Sequence, residues 1–569
     1  MTRPKLAPVP GPDVSEETAL STPDTPPPWW HDAVIYEIYP RSFADADGDG
    51  EGDLAGLIGR LPYLVSLGVD AIWIAPWYPS PMADGGYDVI DYCDINPRLG
   101  TLADADRLLD EAHALGLRVV VDMVANHTSS DHPWFRAALE APPGSPERRR
   151  YYFRDGTGPG GDLPPNNWIS AFGSSAWTRV NDPDGSPGQW YLHTFASAQP
   201  DLDWEEEGVL EAFDEILRFW LDRGVDGFRV DAAPAMAKET GLPDAVYSPD
   251  LTFDSTGWVG NPHWDVDGVH DVMRRWRALS DSYVGDRIFV AEAVVNGPDR
   301  LARYVRPDEL HTAFNFDYVH AGWTAAELRA AVDGTLRALE PLGAPATWAM
   351  SSHDEVRHVT RFGRDAGWQL WGGGSREPAD LELGTRRARA AILLTLALPG
   401  GAYLYQGEEL GLDEVEDLPD AVRQDPVFHR SGGAAPGRDG CRVPLPWEGA
   451  RPPFGFSPPG TTPWLPQPAR WSELTVEAQD RDPGSMLSLY RAALRIRRDT
   501  AHRGHRPLEW LPAPEEVLHF QRGDRFQCLV NLGADDMPIA GRVLISSGPL
   551  PGGRLVPPDT AAWVELPVP

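Results

Sequence analysis

Three carboxylates in this chain each stand at the end of a short apolar run. Asp231 closes Gly227-Phe-Arg-Val-Asp231, Glu292 closes Ile288-Phe-Val-Ala-Glu292, and Asp354 closes Met350-Ser-Ser-His-Asp354. Runs of this kind read as strands buried on both faces, and an acid at the C-terminal end of such a strand is poorly placed for a core. If the strands belong to one parallel barrel, the three acids converge on its top face, where such folds carry their chemistry. The chemistry they suit is cleavage of a glycosidic bond. A retaining enzyme needs one carboxylate as nucleophile and one carboxylic acid as proton donor, about 5–5.5 Å apart. The donor must stay protonated near neutral pH, which burial and a neighbouring negative charge achieve by raising its pKa. Arg229 lies two residues before Asp231 and so points the same way on a strand. It is expected to hold Asp231 ionised, as a nucleophile requires.

Other polar groups fall after neighbouring apolar runs. Asp122-Met-Val-Ala-Asn-His127 puts His127 where it could bond a substrate hydroxyl, with Asp122 orienting its neighbours. His353 stands in the same relation to a different run. Gly86-Tyr87-Asp88 adds an aromatic platform and a carboxylate, which suit the C–H face and the hydroxyls of a sugar ring. A further stretch, Asp45-Ala-Asp-Gly-Asp-Gly-Glu-Gly-Asp53, matches the first nine places of a calcium loop, with Gly50 at the sixth. The twelfth place holds Gly56 instead of a bidentate glutamate, and no helix pair flanks the loop, so it is not an EF-hand. It reads as a divalent-cation loop with Asp45, Asp47, Asp49 and Asp53 as side-chain ligands and Glu51 offering its carbonyl. Its distance in sequence from the three acids suggests a structural ion.

The elements that must position these groups alternate. Apolar runs occur at Val34 to Tyr39, Val69 to Ala75, Arg118 to Val124, Gly227 to Val230, Ile288 to Ala291, His311 to Phe316, Thr347 to Ser351 and Ala402 to Tyr405. Amphipathic stretches such as Leu102 to Leu115 and Leu210 to Asp222 separate several of them. Eight strand–helix units predict an α/β fold, a (β/α)8 TIM barrel. The connection after the third run is too long for a loop and rich in Gly, Pro and aromatics, which predicts an inserted subdomain over 128–198. The barrel then occupies 29–127 and 199–499. A second excursion follows the eighth run, from about Leu412 to Gln467. Beyond residue 500 the strand patterns have no helices between them, which predicts a small antiparallel β-sandwich over 500–569. Residues 1–28, rich in Pro, Ser, Thr and acid, read as a disordered tail.

Composition narrows the partners. The formal net charge of -35 repels nucleic acid and anionic lipid and favours a neutral substrate. Cys93, Cys441 and Cys528 are far apart and form no CxxC pair, so neither a disulfide framework nor a zinc site is expected, and a cytoplasmic protein is the simplest reading. No run approaches the roughly 20 apolar residues of a membrane span. Lys5 and Lys238 are the only lysines, which argues against Schiff-base and P-loop chemistry.

The same residues carry a resemblance. The chain resembles glycoside hydrolase family 13, the α-amylase family, and within it the oligo-1,6-glucosidase and α-glucosidase group. The matching segments are those ending at His127, Asp231, Glu292 and Asp354, together with Gln199-Pro-Asp-Leu-Asp-Trp204, Tyr405-Gln-Gly-Glu-Glu409 and Arg438-Asp-Gly-Cys-Arg-Val-Pro444. They occur in family order over about residues 29–450. The resemblance implies Asp231 as nucleophile, Glu292 as acid/base and Asp354 as the third acid, gripping the hydroxyls of the distorted sugar. It implies that Asp88, His127, Arg229, His353 and Arg442 hold the terminal glucose, that the acidic loop binds calcium or magnesium, and that catalysis needs no cofactor. Asp203, Ser352 and Ala291 stand where the group commonly has Asn, Asn and Gly. Ala232 follows the nucleophile where valine is associated with α-1,6 preference. The expected activity is therefore that of a retaining, exo-acting α-glucosidase on short α-1,4-linked oligosaccharides, with transglycosylation where another sugar outcompetes water. The alternatives are an oligo-1,6-glucosidase, sucrose hydrolase or trehalose synthase using the same site, and, more remotely, a non-catalytic relative of the family. The sequence leaves the oligomeric state open.

Overall fold

The computed structural model describes residues 27–182, 184–247, 260–364, 377–499 and 506–567. The expected tail therefore lies, but for Pro27 and Pro28, outside the described residues, and so does the junction at 500–505. The first three apolar runs form β1 (Val34–Ile38), β2 (Ala71–Ile74) and β3 (Arg118–Val124). The inserted segment supplies β4 (Phe153–Arg154), β5 (Trp177–Asn181) and β6 (Pro187–Leu192). The barrel resumes with β7 (Gly227–Asp231), β8 (Ile288–Ala291), β9 (Thr312–Ala313), β10 (Thr347–Ala349) and β11 (Gly401–Tyr405).

The eight barrel strands pair in the order β10-β11-β1-β2-β3-β7-β8-β9, and every pairing is parallel. Almost all their residues are buried, because helices cover one face and packed side chains fill the other. Ile35, Trp73, Val120, Val290, Phe314 and Tyr403 form part of the inner cluster. Among the described residues no ladder joins β9 to β10. The Thr347 hydroxyl bridges that seam by donating to the Ala313 carbonyl. The helices start on recognisable signals. Asp53 caps Leu54–Leu67, and Thr101 with Asp104 forms a capping box on Leu102–Ala114.

Strands β4, β6 and β5 make an antiparallel sheet within the insertion, and isolated bridges His127↔Asp201 and Tyr151↔Leu202 tie its ends to the loop after β3. At the C-terminus, β12 (Leu508–Trp510), β13 (Val517–Arg522), β14 (Phe526–Asn531), β16 (Arg542–Ser546) and β18 (Thr560–Glu565) form one sheet, and β15 (Met537–Pro538) pairs with β17 (Leu555–Val556). One face of the larger sheet, with Phe520, Cys528 and Trp563, joins the barrel core. The other, with Val517, Leu529 and Ala562, packs on Val556 of the small sheet. The fold is a TIM barrel with an inserted subdomain and a C-terminal sandwich. Among the described residues no helix is long and apolar enough to cross a membrane.

Candidate active site

Gly227 opens β7 because a Cβ there would lie 2.1 Å from the Ile288 carbonyl oxygen. The close approach of β7 and β8 sets Arg229 and Asp231 beside Glu292. A single guanidinium then serves three acids. Arg229 Nη1 lies 2.8 Å from Asp122 Oδ1 and 2.6 Å from Asp231 Oδ1, while Nη2 lies 2.8 Å from Glu292 Oε2. Glu292 Oε2 also accepts from the backbone N–H of Ala232 at 2.8 Å. Ala232 can aim that N–H because its backbone is left-handed, at φ 42°. Asp122 is fixed from behind by the indole N–H of Trp73 and the hydroxyl of Tyr87, each at 3.1 Å.

This sharing alters one expectation. Arg229 does not hold Asp231 low by itself. Burial pushes the Asp231 carboxyl well above its usual range, Arg229 opposes the shift, and the nearby Glu292 and Asp122 charges add to it. Asp122 is raised by burial in the same way, against Arg229. Asp122 and Asp231 therefore hold a proton more readily than isolated carboxyls do.

One side of the cleft is a polar cradle. His353 is fixed by Glu37, whose Oε1 lies 2.5 Å from His353 Nδ1 and accepts from its backbone N–H at 3.1 Å. On the other side of the ring, His353 Nε2 meets the Tyr87 hydroxyl at 2.7 Å. Asp354 accepts from Arg442 at 2.7 Å and from Arg438 at 3.1 Å. Burial would raise its carboxyl, but His353, Arg438, Arg442 and Arg229 hold it well below the usual range. Arg438 also pairs with Asp84 at 2.6 Å and with Asp425 at 2.6 Å. His127 lines the cleft with its Nε2 2.8 Å from the Tyr87 carbonyl, and burial lowers its pKa, so it is neutral.

The structure therefore brings Asp231, Glu292, Asp354, His127, Arg229 and His353 to one cleft. It does not bring Asp88 there. Gly85 (φ 61°) and Gly86 (φ 110°) turn the loop so that Tyr87 faces the cleft. The Asp88 carboxylate is turned away, accepting from the Ser80 hydroxyl and the N–H groups of Ala83 and Asp84, and burial raises it to about 6. Asp84, four residues earlier, lines the cleft instead. Arg442 likewise stands behind the wall and supports Asp354, while Arg438, its neighbour on the same turn, lines the cleft beside Arg229. Glu37, Asp84 and Arg438 are the residues that sequence reasoning passed over. A lone glutamate inside the apolar run Val34–Ile38 was the available signal for the first.

In the acidic loop, oxygens of Asp45, Asp47 and Asp49 lie within 4.8 Å of one another. Partial desolvation and the charges of Asp49, Asp53 and Asp45 raise the Asp47 carboxyl. Asp53 is not part of the group. Its Oδ1 caps the following helix at Gly56, and its Oδ2 accepts from Ala46 and Asp47. The Glu51 side chain pairs with Arg41 and Arg98, so its carbonyl is what it can offer. Three converging carboxylates suit a hard divalent cation.

The family model "Alpha amylase, catalytic domain" matches residues 37–504. A Rhizobium meliloti protein named "Probable alpha-glucosidase" is 37% identical over 540 residues, covering 91% of each chain. An oligo-1,6-glucosidase of Heyndrickxia coagulans is 34% identical over 503 residues, covering 82% of this chain and 85% of its own. Among solved structures, the alpha-glucosyl transfer enzyme XgtA superposes with a TM-score of 0.82 at 36% identity, covering 95% of this chain and 100% of its own.

Proposed function

This chain belongs to the alpha-amylase family of glycoside hydrolases, and from that premise we propose that it is a retaining, exo-acting α-glucosidase that removes terminal glucose from short α-1,4-linked oligosaccharides. The observation that carries the reading is the Arg438–Asp84 ion pair at 2.6 Å. It closes the cradle side of the cleft, so a sugar chain enters by its end. Asp231 attacks the anomeric carbon, Glu292 gives its proton to the leaving oxygen, and Glu292 then takes a proton from the water that hydrolyses the glucosyl-enzyme. Two carboxylates on the two terminal nitrogens of one guanidinium are close neighbours, which favours the short spacing of retaining enzymes over the wider spacing of inverting ones. Asp354 is held ionised to grip the hydroxyls of the glucose. Ala232 keeps the wall beside the scissile bond small, and its left-handed backbone disfavours a β-branched side chain there.

The same glucosyl-enzyme can pass its glucose to a sugar hydroxyl instead of water. The likeness to an enzyme named for alpha-glucosyl transfer favours this as the second reading. The acidic loop binds calcium or magnesium as a structural ion, apart from the chemistry. Three unpaired cysteines accord with a reducing, cytoplasmic setting.

Glucose release from maltose, maltotriose, isomaltose, sucrose, trehalose and starch, with Asp231→Asn as control, tests the reading. Fast release from maltose and maltotriose, little from starch and none from the control supports it. A preference for isomaltose overturns the linkage assignment. Initial release of β-glucose overturns the retaining mechanism.

A further inference from the structure

His353, Asp354 and Glu355 are consecutive, but they face two ways. His353 and Asp354 turn toward the cradle formed by Glu37, Tyr87, Asp84 and Arg438. Glu355 turns toward His320, whose Nε2 lies 3.1 Å from Glu355 Oε1. In the ring order of the barrel, the loops after β9 and β10, which carry His320 and Glu355, lie diametrically opposite the loops after β2 and β3, which carry Asp84, Tyr87 and His127. Both His320 and Glu355 line the cleft. Glu355 is 3% exposed, yet its Oε2 finds no hydrogen-bond donor among the described residues. Arg361 is near enough to balance the Glu355 charge, but it directs its Nη1 and Nη2 to the carbonyls of Val319 and Met350. A buried carboxylate oxygen without a donor is costly, and because its residue lines the cleft, a bound ligand can supply the donor once the carboxylate turns to meet it. The wall around it is apolar, with Phe316 stacked obliquely on His320 at 5.6 Å.

We propose that Glu355, positioned by His320, binds a hydroxyl of the group beyond the scissile bond: the sugar that leaves in hydrolysis and the sugar that accepts in transfer. The proposal rests on the glucosidase reading above and names the leaving-group side of that site. Glu355 Oε2 accepts the hydroxyl proton as a hydrogen bond, while Phe316 offers its face to the C–H side of the ring. The ligand chemistry is a neutral polyhydroxylated ring, since a carboxylate rejects an anionic one.

The test compares maltose, whose leaving group is a sugar, with 4-nitrophenyl α-glucoside, whose leaving group has no sugar hydroxyls. In Glu355→Gln the ratio of kcat/KM for maltose to that for the nitrophenyl glucoside is expected to fall about tenfold or more, the loss expected of a hydrogen bond to a charged group. His320→Gln, which frees Glu355 to rotate, should move the ratio in the same direction by less. An unchanged ratio, or an equal fall on both substrates, overturns the proposal. A second readout is independent of turnover. By calorimetry on the Asp231→Asn protein, adding Glu355→Gln should raise the maltose Kd about tenfold and leave the glucose Kd unmoved. A maltose Kd that does not respond overturns the proposal even if the wild type hydrolyses both substrates. Failure of the wild type to hydrolyse either substrate counts against the glucosidase reading, while the maltose Kd still decides this one.

Discussion

Replacing Arg229 by methionine should produce a defect whose size depends on pH. The side chain is 2% exposed and its two terminal nitrogens touch Asp122, Asp231 and Glu292 at 2.6–2.8 Å. Methionine fills much the same volume and leaves the buried Asp122 and Asp231 and the partly buried Glu292 with no cation among them. Removing one partner of a buried ion pair costs about 3–5 kcal/mol, and that is the expected loss at pH 7.5. The sign with pH follows from the remaining acids. Asp122 and Asp231 are already raised by burial against the pull of Arg229, so losing the arginine raises them further. A carboxyl raised in the folded state keeps its proton where the unfolded chain, with its carboxyls near 4, has lost it. Stability from these groups is full below the unfolded value and falls as pH rises toward the folded value, by about 1.4 kcal/mol per pH unit for each proton retained. The gap in thermal midpoint between wild type and Arg229→Met should therefore be wide at pH 7.5 and narrow near pH 4.5. The variant should lose its glucosidase activity through a protonated nucleophile. A gap that is the same at both pH values would refute the reasoning and reduce Arg229 to a packing element.

Three further perturbations follow from the same structure. Lys238 is fully buried with Nζ 2.8 Å from Asp201, so Lys238→Met should destabilise by about 3–5 kcal/mol in thermal or urea unfolding, and adding Asp201→Asn should recover part of the loss. Arg438→Gln removes the cleft-side partner of both Asp84 and Asp354. KM for maltose should rise more than tenfold, and, because Asp354 is held low in the wild type and stabilises until pH falls through its depressed value, the acid limb of thermal stability should move to higher pH. If the acidic loop binds calcium with the ion at a hundred times its Kd, the fold gains about 2.7 kcal/mol. Adding EDTA should then lower the melting temperature, and Asp47→Asn should abolish that response while leaving the wild-type activity ratio between substrates alone.

The architecture was legible because it repeats. Eight short apolar runs at barrel spacing left little choice of fold, and each became a strand. The acids at strand ends were legible for the same reason, since a strand end fixes where a side chain points. Loop residues lacked that frame. Asp84 and Asp88 flank the same two glycines, and only the left-handed backbone at Gly85 and Gly86 decides which carboxylate turns inward. Arg438 and Arg442 lie on one 3-10 turn and its cap, both reach Asp354, and only the depth of the turn separates the cleft surface from the support behind it. Glu37 was hidden differently. Its role depends on His353, 316 positions away in sequence, a contact that no local pattern encodes.

Charge in the cleft joins these observations to the choice of substrate. Its lining includes six carboxylates, Glu37, Asp84, Asp231, Glu292, Asp354 and Glu355, and two guanidiniums, Arg229 and Arg438. Both arginines are committed to acids on every terminal nitrogen, so neither is left to neutralise a phosphate or a carboxylate on a ligand. An anionic sugar would add charge to a site already in excess, whereas a neutral glucoside brings hydroxyl donors that acceptor-only carboxylates need. Burial together with the same crowding of acids raises the Asp231 and Asp122 carboxyls against the pull of Arg229. The crowding of acids that disfavours an anionic sugar is thus also the crowding that raises these two carboxyls. Adding a cation to the cleft wall should weaken both properties together.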